Sequence, residues 1–479
     1  MDTARRTKIV ATLGPATDDD AVMAGMVQSG LDVARINFSH GTRDEQRRRV
    51  ESVRAAARTA GRYVGVLADL AGPKIRIESF RDGKVQLVEG APFALDTRLD
   101  PQAGTLTEVG CAYTNLPADV RSGDTLLLND GQIVLDVERV APTRVECVVR
   151  VGGELSNRKG LNRQGGGISA PALTDRDMED IRLAAELGID FLAVSFARDG
   201  DDVRRAQSEL RRWRGEGRIV AKIERHEALD NLAGILAVAD AVMVARGDLG
   251  VEMGYAELTG LQKTIIRQSL AHNRVVITAT QMMESMIANP IPTRAEVSDV
   301  ANAVLDGTDA VMLSAETAAG KYPVKAVQAM SEVIQGAEKY QQGSLRGLVR
   351  AEEEFTSTEE AISMAVMYAA NHMRVRAIVA LTESGSTPLL MSRIRSDMPI
   401  YAFTRHEATR RRVTLYRNVY AVPFDITSTD SATLYPAIFD RLLGIGLVDV
   451  NDLVILTKGE LSGVSGGTNS LQILRVTQR

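Results

Sequence analysis

Eight short apolar runs, rich in β-branched residues and separated by amphipathic stretches, constrain the fold of this chain more than any other feature. The runs span Lys8–Leu13, Leu31–Asn37, Tyr63–Asp69, Asp190–Phe196, Arg218–Ile223, Asp240–Ala245, Arg274–Thr280 and Asp309–Leu313. The amphipathic stretches include Asp44–Ala60, Asp175–Leu187, Glu257–His272 and Arg294–Leu305. Apolar runs of this kind are typical of strands buried in a parallel sheet. Eight strands alternating with helices predict a (β/α)8 barrel, and an open doubly wound sheet is the structural alternative.

The alternation is interrupted once, between Ala71 and about Pro171, by a segment with no long helical period. This segment contains short alternating runs at Lys84–Val88, Thr125–Leu128, Ile133–Val137 and Arg144–Val151. The sequence Asn129-Asp130-Gly131, between two of these runs, has strong hairpin-turn chemistry. We therefore predict a small all-β domain inserted after the third strand, with hinges at Gly72-Pro73 and Ser169-Ala170-Pro171. Such an insert could close as a lid over the barrel mouth.

The strand and helix pattern restarts at about Ser344. A predicted helix, Thr358–His372, is followed by predicted strands at Arg376–Leu381, Pro399–Phe403, Val419–Val422 and Asp452–Leu456. This pattern predicts an α/β domain with a mostly parallel sheet. The predicted division is a barrel built from residues 1–70 and 172–343, an all-β lid at residues 71–171, and a C-terminal α/β domain at residues 344–479.

The composition is that of a soluble globular protein, because 44% of the 479 residues are hydrophobic and 25% are charged. A net charge of -5 gives no reason to expect nucleic acid or an anionic membrane as a partner. No secretory signal and no membrane-spanning stretch is expected. The two cysteines, Cys111 and Cys147, could form at most one bridge, and a reduced, cytoplasmic location is the simplest expectation.

Polar residues fill the predicted C-terminal ends of the barrel strands, where the active sites of such barrels lie. In chain order they are Thr12, Arg35, Asn37, Ser39, His40, Asp69, Lys74, Arg76, Lys222, Glu224, Arg246, Asp248, Thr278, Thr280, Ser314 and Glu316. Glu224 and Asp248 lie on neighbouring strands, so their carboxylates could share a hard cation such as Mg2+ with water and substrate oxygens. The alternative is that they form ion pairs with Lys222 or Arg246 at the top of the barrel.

Cationic side chains and the backbone N–H groups of a turn at the same rim could bind an anionic substrate. Arg35, Arg76 and Lys222 form a set that could bind a phosphoryl group, although each of them alone would be assigned to a surface cluster. Backbone N–H groups of Gly247-Asp248-Leu249-Gly250 could bind a carboxylate, unless this segment is only a turn.

The rim offers groups for proton transfer but no obvious nucleophile. Thr280, Ser314 and Glu316 could relay a proton through water, although hydroxyls at strand ends more often cap helices. His40 is the histidine at the rim, and neither it nor a cysteine is well placed to form a covalent intermediate. Direct phosphoryl transfer, which needs positioning and charge neutralisation, fits this set of residues best.

Seven ordered segments carry a family resemblance. They are Thr7–Pro15, Arg35–Gly41, Asp69–Arg76, Lys222–Glu224, Ala245–Glu252, Ala279–Met282 and Met312–Ala318. With these segments the chain resembles the pyruvate kinase family over essentially its whole length. The resemblance implies a barrel domain, an inserted β-barrel lid and a C-terminal α/β domain, in agreement with the pattern above. It also implies phosphoryl transfer from phosphoenolpyruvate to ADP, giving pyruvate and ATP, and a homotetramer.

The resemblance implies a role for each site residue. Mg2+ (or Mn2+) would be held by Glu224 and Asp248, and a second Mg2+ would arrive with the nucleotide. Lys222 would stabilise the phosphoryl group and the enolate. Implied substrate contacts are Arg35, Lys222, Gly247, Asp248 and Thr280. Implied catalytic residues besides Lys222 are Arg35, Arg76, Thr280, Ser314 and Glu316, and implied nucleotide contacts are Asn37, His40, Arg76 and Lys159.

One departure from the family concerns K+. Many members need K+, bound near the positions of Asn37, Ser39, Asp69 and Leu70, and those members carry Thr at position 70 and Glu at position 74. Here Leu70 has no hydroxyl, and Lys74 supplies a positive charge where the ion would sit. The sequence therefore predicts activity without K+.

A second candidate anion site lies in the C-terminal domain, where Leu381–Thr387 follows a predicted strand and opens a helix. Its residues are Thr382, Glu383, Ser384, Gly385, Ser386 and Thr387, and the glycine-rich segment Gly459–Asn469 could close over them. The alternative is a helix cap beside a flexible loop. The family resemblance favours an allosteric effector phosphate, carried by AMP or a sugar monophosphate rather than by fructose 1,6-bisphosphate.

Two alternative functions stay open. Another enolate-forming barrel enzyme, such as a phosphoenolpyruvate-dependent dikinase or a metal-dependent aldolase, would not explain both added domains. A catalytically silent metabolite sensor would be expected to have lost at least one of Lys222, Glu224, Asp248 and Thr280.

Overall fold

Eight parallel strands close into the predicted barrel in a computed structural model that describes residues 5–341, 354–428, 433–459 and 467–477. The first to eighth barrel strands are Lys8–Leu13, Val33–Asn37, Gly65–Asp69, Phe191–Val194, Arg218–Ile223, Ala241–Ala245, Val275–Ala279 and Ala310–Leu313. Each strand pairs with the next along the chain, and the eighth pairs with the first, with Lys8 beside Ala310. The barrel prediction is confirmed, and the open-sheet alternative is wrong.

Helices between the strands cover the outside of the barrel. The α-helices are Asp20–Ser29, Arg43–Thr59, Asp175–Glu186, Gly200–Arg212, His226–Asp230, Leu232–Val238, Arg246–Met253, Leu258–Ala271, Arg294–Asp306, Ala315–Ala318 and Pro323–Gln341, and the 3-10 turns are Pro15–Thr17 and Glu284–Ile287. Three of the four barrel helices that the sequence predicted begin with a capping box, built on Thr42, Thr174 and Thr293. These boxes satisfy free N–H groups of the first turn and explain why the predicted starts agree with the structure.

The segment between the third and fourth barrel strands forms the predicted all-β insert. Its strands are Lys84–Leu87, Pro92–Asp96, Glu108–Gly110, Thr125–Leu128, Ile133–Val140, Arg144–Val151, Gly153–Ser156 and Leu161–Arg163, and its one described helical turn is Leu116–Asp119. Six of the strands form one sheet and two form a smaller one. The hairpin at Asn129-Asp130-Gly131 is confirmed, because all three residues have positive φ (50°, 54° and 84°) and Leu128 pairs with Ile133. Cys111 and Cys147 are buried in this insert, and both are free thiols.

The C-terminal part is the predicted α/β domain. Its α-helices are Thr358–His372, Ser386–Ser392, Glu407–Arg412 and Leu434–Gly444, with a 3-10 turn at Val413–Leu415, and its strands are Ala377–Leu381, Ile400–Thr404, Val419–Pro423, Leu453–Gly459 and Thr468–Arg475. Four strands are parallel, and Thr468–Arg475, which was not predicted, adds an antiparallel edge beside Leu453–Gly459. Across the described ranges, no helix is both long and apolar enough to cross a membrane.

The C-terminal domain packs against the N-terminal ends of the barrel strands. Asp190 and Asp309 directly precede the fourth and eighth barrel strands, and each accepts a backbone N–H of the preceding barrel strand at 2.9 Å. Asp190 also lies 3.0 Å from Arg411 Nε, and Asp309 forms a buried ion pair with Arg393. Both arginines belong to the C-terminal domain. The opposite rim, which carries the C-terminal strand ends, faces the inserted β domain, since Asn162 of the insert and Asp248 of the rim line one cleft.

Candidate active site

Asp69, at the end of the third barrel strand, lies at the centre of the polar rim and is 1% exposed. Its carboxylate accepts from Arg35 Nε at 2.7 Å and from Lys222 Nζ at 3.3 Å. Arg35 is fixed further by a hydrogen bond of 2.9 Å to the Thr12 hydroxyl on the neighbouring strand. Burial alone would raise the pKa of Asp69, but the two cations outweigh it and hold this pKa below its ordinary value. Asp69 therefore stays ionised and orients both cations.

Lys222, on the fifth barrel strand, is almost buried and has three polar partners. Besides Asp69, its Nζ lies 2.9 Å from Glu224 Oε1 and 2.7 Å from Ser195 Oγ. Burial alone would lower the pKa of Lys222, but the Asp69 and Glu224 carboxylates outweigh it and raise this pKa above its ordinary value. Lys222 is therefore a permanent cation, which suits it to stabilise negative charge rather than to transfer a proton.

Glu224 and Asp248 follow neighbouring strands, and their charges interact at the rim. Burial raises the pKa of Glu224 above its ordinary value, the Lys222 charge opposes this only in part, and the Asp248 charge adds to it. Asp248 has one weak ion pair, at 4.0 Å from Lys74 Nζ. Two carboxylates that repel each other and lack full compensation fit a divalent cation. Among the described residues no group of three or more His, Cys, Asp or Glu side chains is placed to hold a metal, so water and substrate oxygens would complete such a site.

Of the two ion pairs that stood as the alternative to a metal site, one is present. Lys222 pairs with Glu224, whereas Arg246 points away from both carboxylates and binds Asp299 at 2.7 Å. Arg246 also donates to the Thr280 carbonyl at 2.7 Å. Its role is to hold the loop after the seventh barrel strand. Thr278 likewise faces away from the rim, since its hydroxyl bonds to that of Thr308 at 3.0 Å.

Thr280 and the start of helix Arg246–Met253 face each other across the rim. The Gly247 N–H donates to the Thr280 hydroxyl at 2.8 Å. Thr280 has a φ of +67°, a conformation that costs energy for a residue with a side chain and that persists only where its surroundings impose it. The Thr280 hydroxyl in turn donates to the Ala279 carbonyl at 2.7 Å, so a carboxylate that binds in the first turn of this helix would replace these internal hydrogen bonds.

Ser314 and Glu316 follow the eighth barrel strand but are not joined to Thr280. The buried Glu316 carboxylate accepts from the backbone N–H of Ser314 at 2.6 Å and of Met283 at 3.1 Å. The Ser314 hydroxyl is buried without a hydrogen-bond partner among the described residues. Glu316 thus braces the loops around the site, and only Ser314 retains an unused polar atom there.

Of the residues assigned to the nucleotide, Arg76 and Lys159 lie in the insert, and Asn37 and His40 lie at and just after the end of the second barrel strand. Arg76 is exposed, and its guanidinium donates to the Arg158 carbonyl of the insert at 2.8 Å, directly beside Lys159. Asn37 Oδ1 accepts the Ser39 N–H at 3.1 Å, and His40 is exposed. A small cleft lies between the insert and the rim, and its lining includes Lys74, Ile75, Asn162, Phe196, Arg225, Asp248 and Glu252.

The site also contains a residue that the sequence did not single out. Ser195 directly follows the fourth barrel strand and is 2% exposed. Its hydroxyl bonds to Lys222 and to the Leu70 carbonyl, both at 2.7 Å. Its position in the sequence could have identified it, because Ser195 is a polar residue near the C-terminal end of the predicted strand Asp190–Phe196.

The second candidate site, the loop Thr382–Thr387, has internal partners. The Ser386 and Thr387 hydroxyls donate to the two carboxylate oxygens of Glu359 at 2.9 and 2.6 Å. Glu383 forms an ion pair with Arg405 and a hydrogen bond with His406. Gly385 begins the following helix with a φ of +88°. The loop follows a strand and opens a helix, but two of its hydroxyls, those of Ser386 and Thr387, already bind a carboxylate. Most of the predicted glycine-rich cover, residues 460–466, lies outside the described residues.

Comparison with known proteins gives a consistent result over the whole chain. The model of the family "Pyruvate kinase, barrel domain" matches residues 4–327, and that of "Pyruvate kinase, alpha/beta domain" matches residues 360–474. Pyruvate kinase II of Salmonella typhimurium is 50% identical, covering 98% of this chain and 99% of its own length. A Thermotoga maritima pyruvate kinase is 40% identical, covering 98% and 100%. The crystal structure of a Cryptosporidium parvum pyruvate kinase, 31% identical, matches with a TM-score of 0.92 over 98% of this chain and 96% of that one.

Proposed function

The chain belongs to the pyruvate kinase family, and from that premise we propose that it transfers the phosphoryl group of phosphoenolpyruvate to ADP in a Mg2+-dependent reaction, giving pyruvate and ATP. The observation that carries this proposal is the arrangement around Lys222. A permanently charged ammonium lies 2.9 Å from Glu224, and Glu224 in turn faces Asp248. A phosphoryl donor bound here would meet a fixed cation and a pair of carboxylates able to share a metal ion with it.

Glu224 and Asp248 are the residues that would hold Mg2+ (or Mn2+). The raised pKa of Glu224 supports this assignment, because a divalent cation relieves the repulsion between the buried Glu224 carboxylate and the half-buried Asp248 carboxylate. The bound ion would neutralise charge on the phosphoryl and enolate oxygens. The protein itself contributes the fixed position of the carboxylates, for which the Phe196 N–H donates to Glu224 Oε2 at 2.7 Å.

The remaining assignments follow the charges and free donors of the rim. Arg35 and Arg76 would neutralise the phosphoryl oxygens, and Lys222 would stabilise the phosphoryl group and the enolate. The N–H groups of Gly247 and Asp248 would bind the substrate carboxylate with the Thr280 hydroxyl. The nucleotide-side residues would be Asn37, His40, Arg76 and Lys159. The enolate must finally be protonated, and we assign this step to water held by Thr280, Ser314 and Glu316. The unpartnered Ser314 hydroxyl supports a water at that position.

Two further properties belong to the proposal. We infer that K+ is not required, because Leu70 lacks the hydroxyl found in K+-dependent members and Lys74, whose Nζ lies 4.0 Å from Asp248, brings a fixed positive charge to the rim. We also infer activation by AMP or a sugar monophosphate at the Thr382–Thr387 loop. The 50% identity to a protein named pyruvate kinase II supports this subtype. A homotetramer stays a prediction from the family resemblance.

The test is pyruvate formation from phosphoenolpyruvate, ADP and Mg2+ in K+-free buffer, repeated with K+ at matched ionic strength. We expect a turnover of about 1–100 s⁻¹ in both buffers. Turnover only with K+ would show that Lys74 does not replace the ion, and the proposed reaction would still stand. Absence of turnover in both, with AMP and sugar monophosphates present, would favour the metabolite sensor, which the intact Lys222, Glu224, Asp248 and Thr280 otherwise oppose.

A further inference from the structure

The fourth barrel strand ends in a tight corner formed by Ser195 and Phe196. Phe196 has a φ of +55°, and this turn directs its N–H to Glu224 Oε2. The corner packs closely on Gly72, where an added Cβ would lie 2.9 Å from the Ser195 Cβ and 2.8 Å from the Phe196 ring. The backbone of the corner is therefore fixed, and with it the position of the Ser195 hydroxyl.

The hydrogen bonds of Ser195 have one consistent direction. An ammonium group can only donate, so Ser195 Oγ accepts from Lys222 Nζ at 2.7 Å. The single hydroxyl proton is then donated to the Leu70 carbonyl at 2.7 Å, since the Asp69 carboxylate is more distant at 3.4 Å. The lone pair that faces Lys222 is thus held in place by a backbone carbonyl.

Ser195 differs from the other two partners of Lys222, because it is neutral and they are not. Asp69 also binds Arg35, and Glu224 is the proposed metal ligand. Both carboxylates must serve a second cation when the site is loaded. Ser195 holds the ammonium without neutralising it, so the positive charge of Lys222 remains available to the substrate.

We propose that Ser195 is a positioning residue for Lys222, fixing the ammonium where negative charge develops on the phosphoryl group and the enolate. This inference rests on the proposed role of Lys222. A group that interacts with charge developing in the transition state lowers the activation barrier more than it strengthens substrate binding. Loss of the Ser195 hydroxyl should therefore reduce kcat and leave KM for phosphoenolpyruvate almost unchanged.

The test is Ser195→Ala, which removes one oxygen atom and introduces no steric clash. Loss of a hydrogen bond to a charged group predicts a fall in kcat of about 10- to 100-fold, with KM for phosphoenolpyruvate changed by less than about threefold. Ser195→Cys, which retains a weak acceptor, should recover part of the loss. The matched control is Ser269→Ala. Ser269 is equally buried, donates to the Ile265 carbonyl at 2.7 Å and lies in the helix Leu258–Ala271. This control should retain the kcat and KM of the parent.

A parallel Lys222→Met variant separates this inference from the proposed function. If Lys222→Met remains active, the proposed role of Lys222 is wrong, and the inference that Ser195 positions it is overturned as well. If Lys222→Met is inactive while Ser195→Ala matches Ser269→Ala, the proposed function stands and the inference on Ser195 is overturned. A Ser195→Ala loss that appears in KM alone, or that follows a fall in melting temperature absent from Ser269→Ala, would also overturn it.

Discussion

The barrel rim and the Thr382–Thr387 loop are both candidate anion sites, and they differ in what their polar groups already bind. At the rim, Lys222 stays charged, and the raised pKa of Glu224 shows that its negative charge is not fully compensated. At the loop, the Ser386 and Thr387 hydroxyls bind the carboxylate of Glu359. The rim is therefore arranged for ligands that the chain does not supply, whereas the loop is satisfied by a side chain of its own domain.

This difference implies different routes to ligand binding. A metal ion at the rim has to share Glu224 with Lys222 and Asp248 with Lys74, whose ammonium groups lie 2.9 and 4.0 Å away, but the raised pKa of Glu224 shows that these cations do not fully compensate the carboxylates. An effector phosphate must replace the Glu359 carboxylate on the loop before it can use the same hydroxyls. The cost of that replacement makes the loop suitable as a switch, since an effector has to bind one arrangement better than the other to shift the protein between them.

The largest expected effect is the loss of activity when a proposed metal ligand at the rim is replaced. Glu224→Gln removes the negative charge of a proposed metal ligand but preserves its shape, and it should lower kcat by at least about 10²–10³-fold and raise the Mg2+ concentration needed for half-maximal activity. Turnover measured across a Mg2+ titration checks this. Glu154→Gln, an exposed change of equal charge on the insert, serves as the control. A loss below tenfold with an unchanged Mg2+ requirement would mean that Glu224 does not hold the metal.

The barrel could be predicted from the sequence because its strands are β-branched apolar runs. Several of its helices begin with a capping box on a threonine, such as Thr42. The sequence predicted the residues at strand ends for the same reason. It did not predict the edge strand Thr468–Arg475, whose half-exposed residues lack a clear apolar period. It also missed Ser195 and Glu359, because their roles depend on contacts across the fold. Glu359 lies in the first turn of another helix, far from the loop along the chain.

An intermediate effect tests the charge balance of the rim. Lys74→Glu replaces the cation beside Asp248 with a carboxylate, and it should lower activity by about tenfold in K+-free buffer and make K+ stimulatory. Activity is measured with K+ or with tetramethylammonium at matched ionic strength. Lys84→Glu carries the same change of charge at an exposed position on the insert and should behave like the parent. A Lys74→Glu variant that is equally active and indifferent to K+ would show that Lys74 does not act as the built-in cation.

The smallest expected effect concerns the loop. Glu359→Gln keeps hydrogen-bonding atoms near Ser386 and Thr387 but removes the charge that an incoming phosphate must displace. Because two like charges at about 4 Å repel by about 1 kcal/mol in water, the AMP or sugar monophosphate concentration for half-maximal activation should fall by about fivefold.

The matched control for this prediction is Glu332→Gln, which makes the same change on an exposed face of helix Pro323–Gln341 and should leave activation unaltered. A Ser384→Ala, Thr387→Ala double variant should abolish activation and retain basal turnover, because it removes loop hydroxyls that lie at the opposite end of the barrel from Lys222. If Glu359→Gln and Glu332→Gln require equal effector concentrations, the Glu359 carboxylate does not compete with the effector. The effector would then not use the hydroxyls that Glu359 binds. The loop and the rim would share only the presence of hydroxyl groups at the end of a strand.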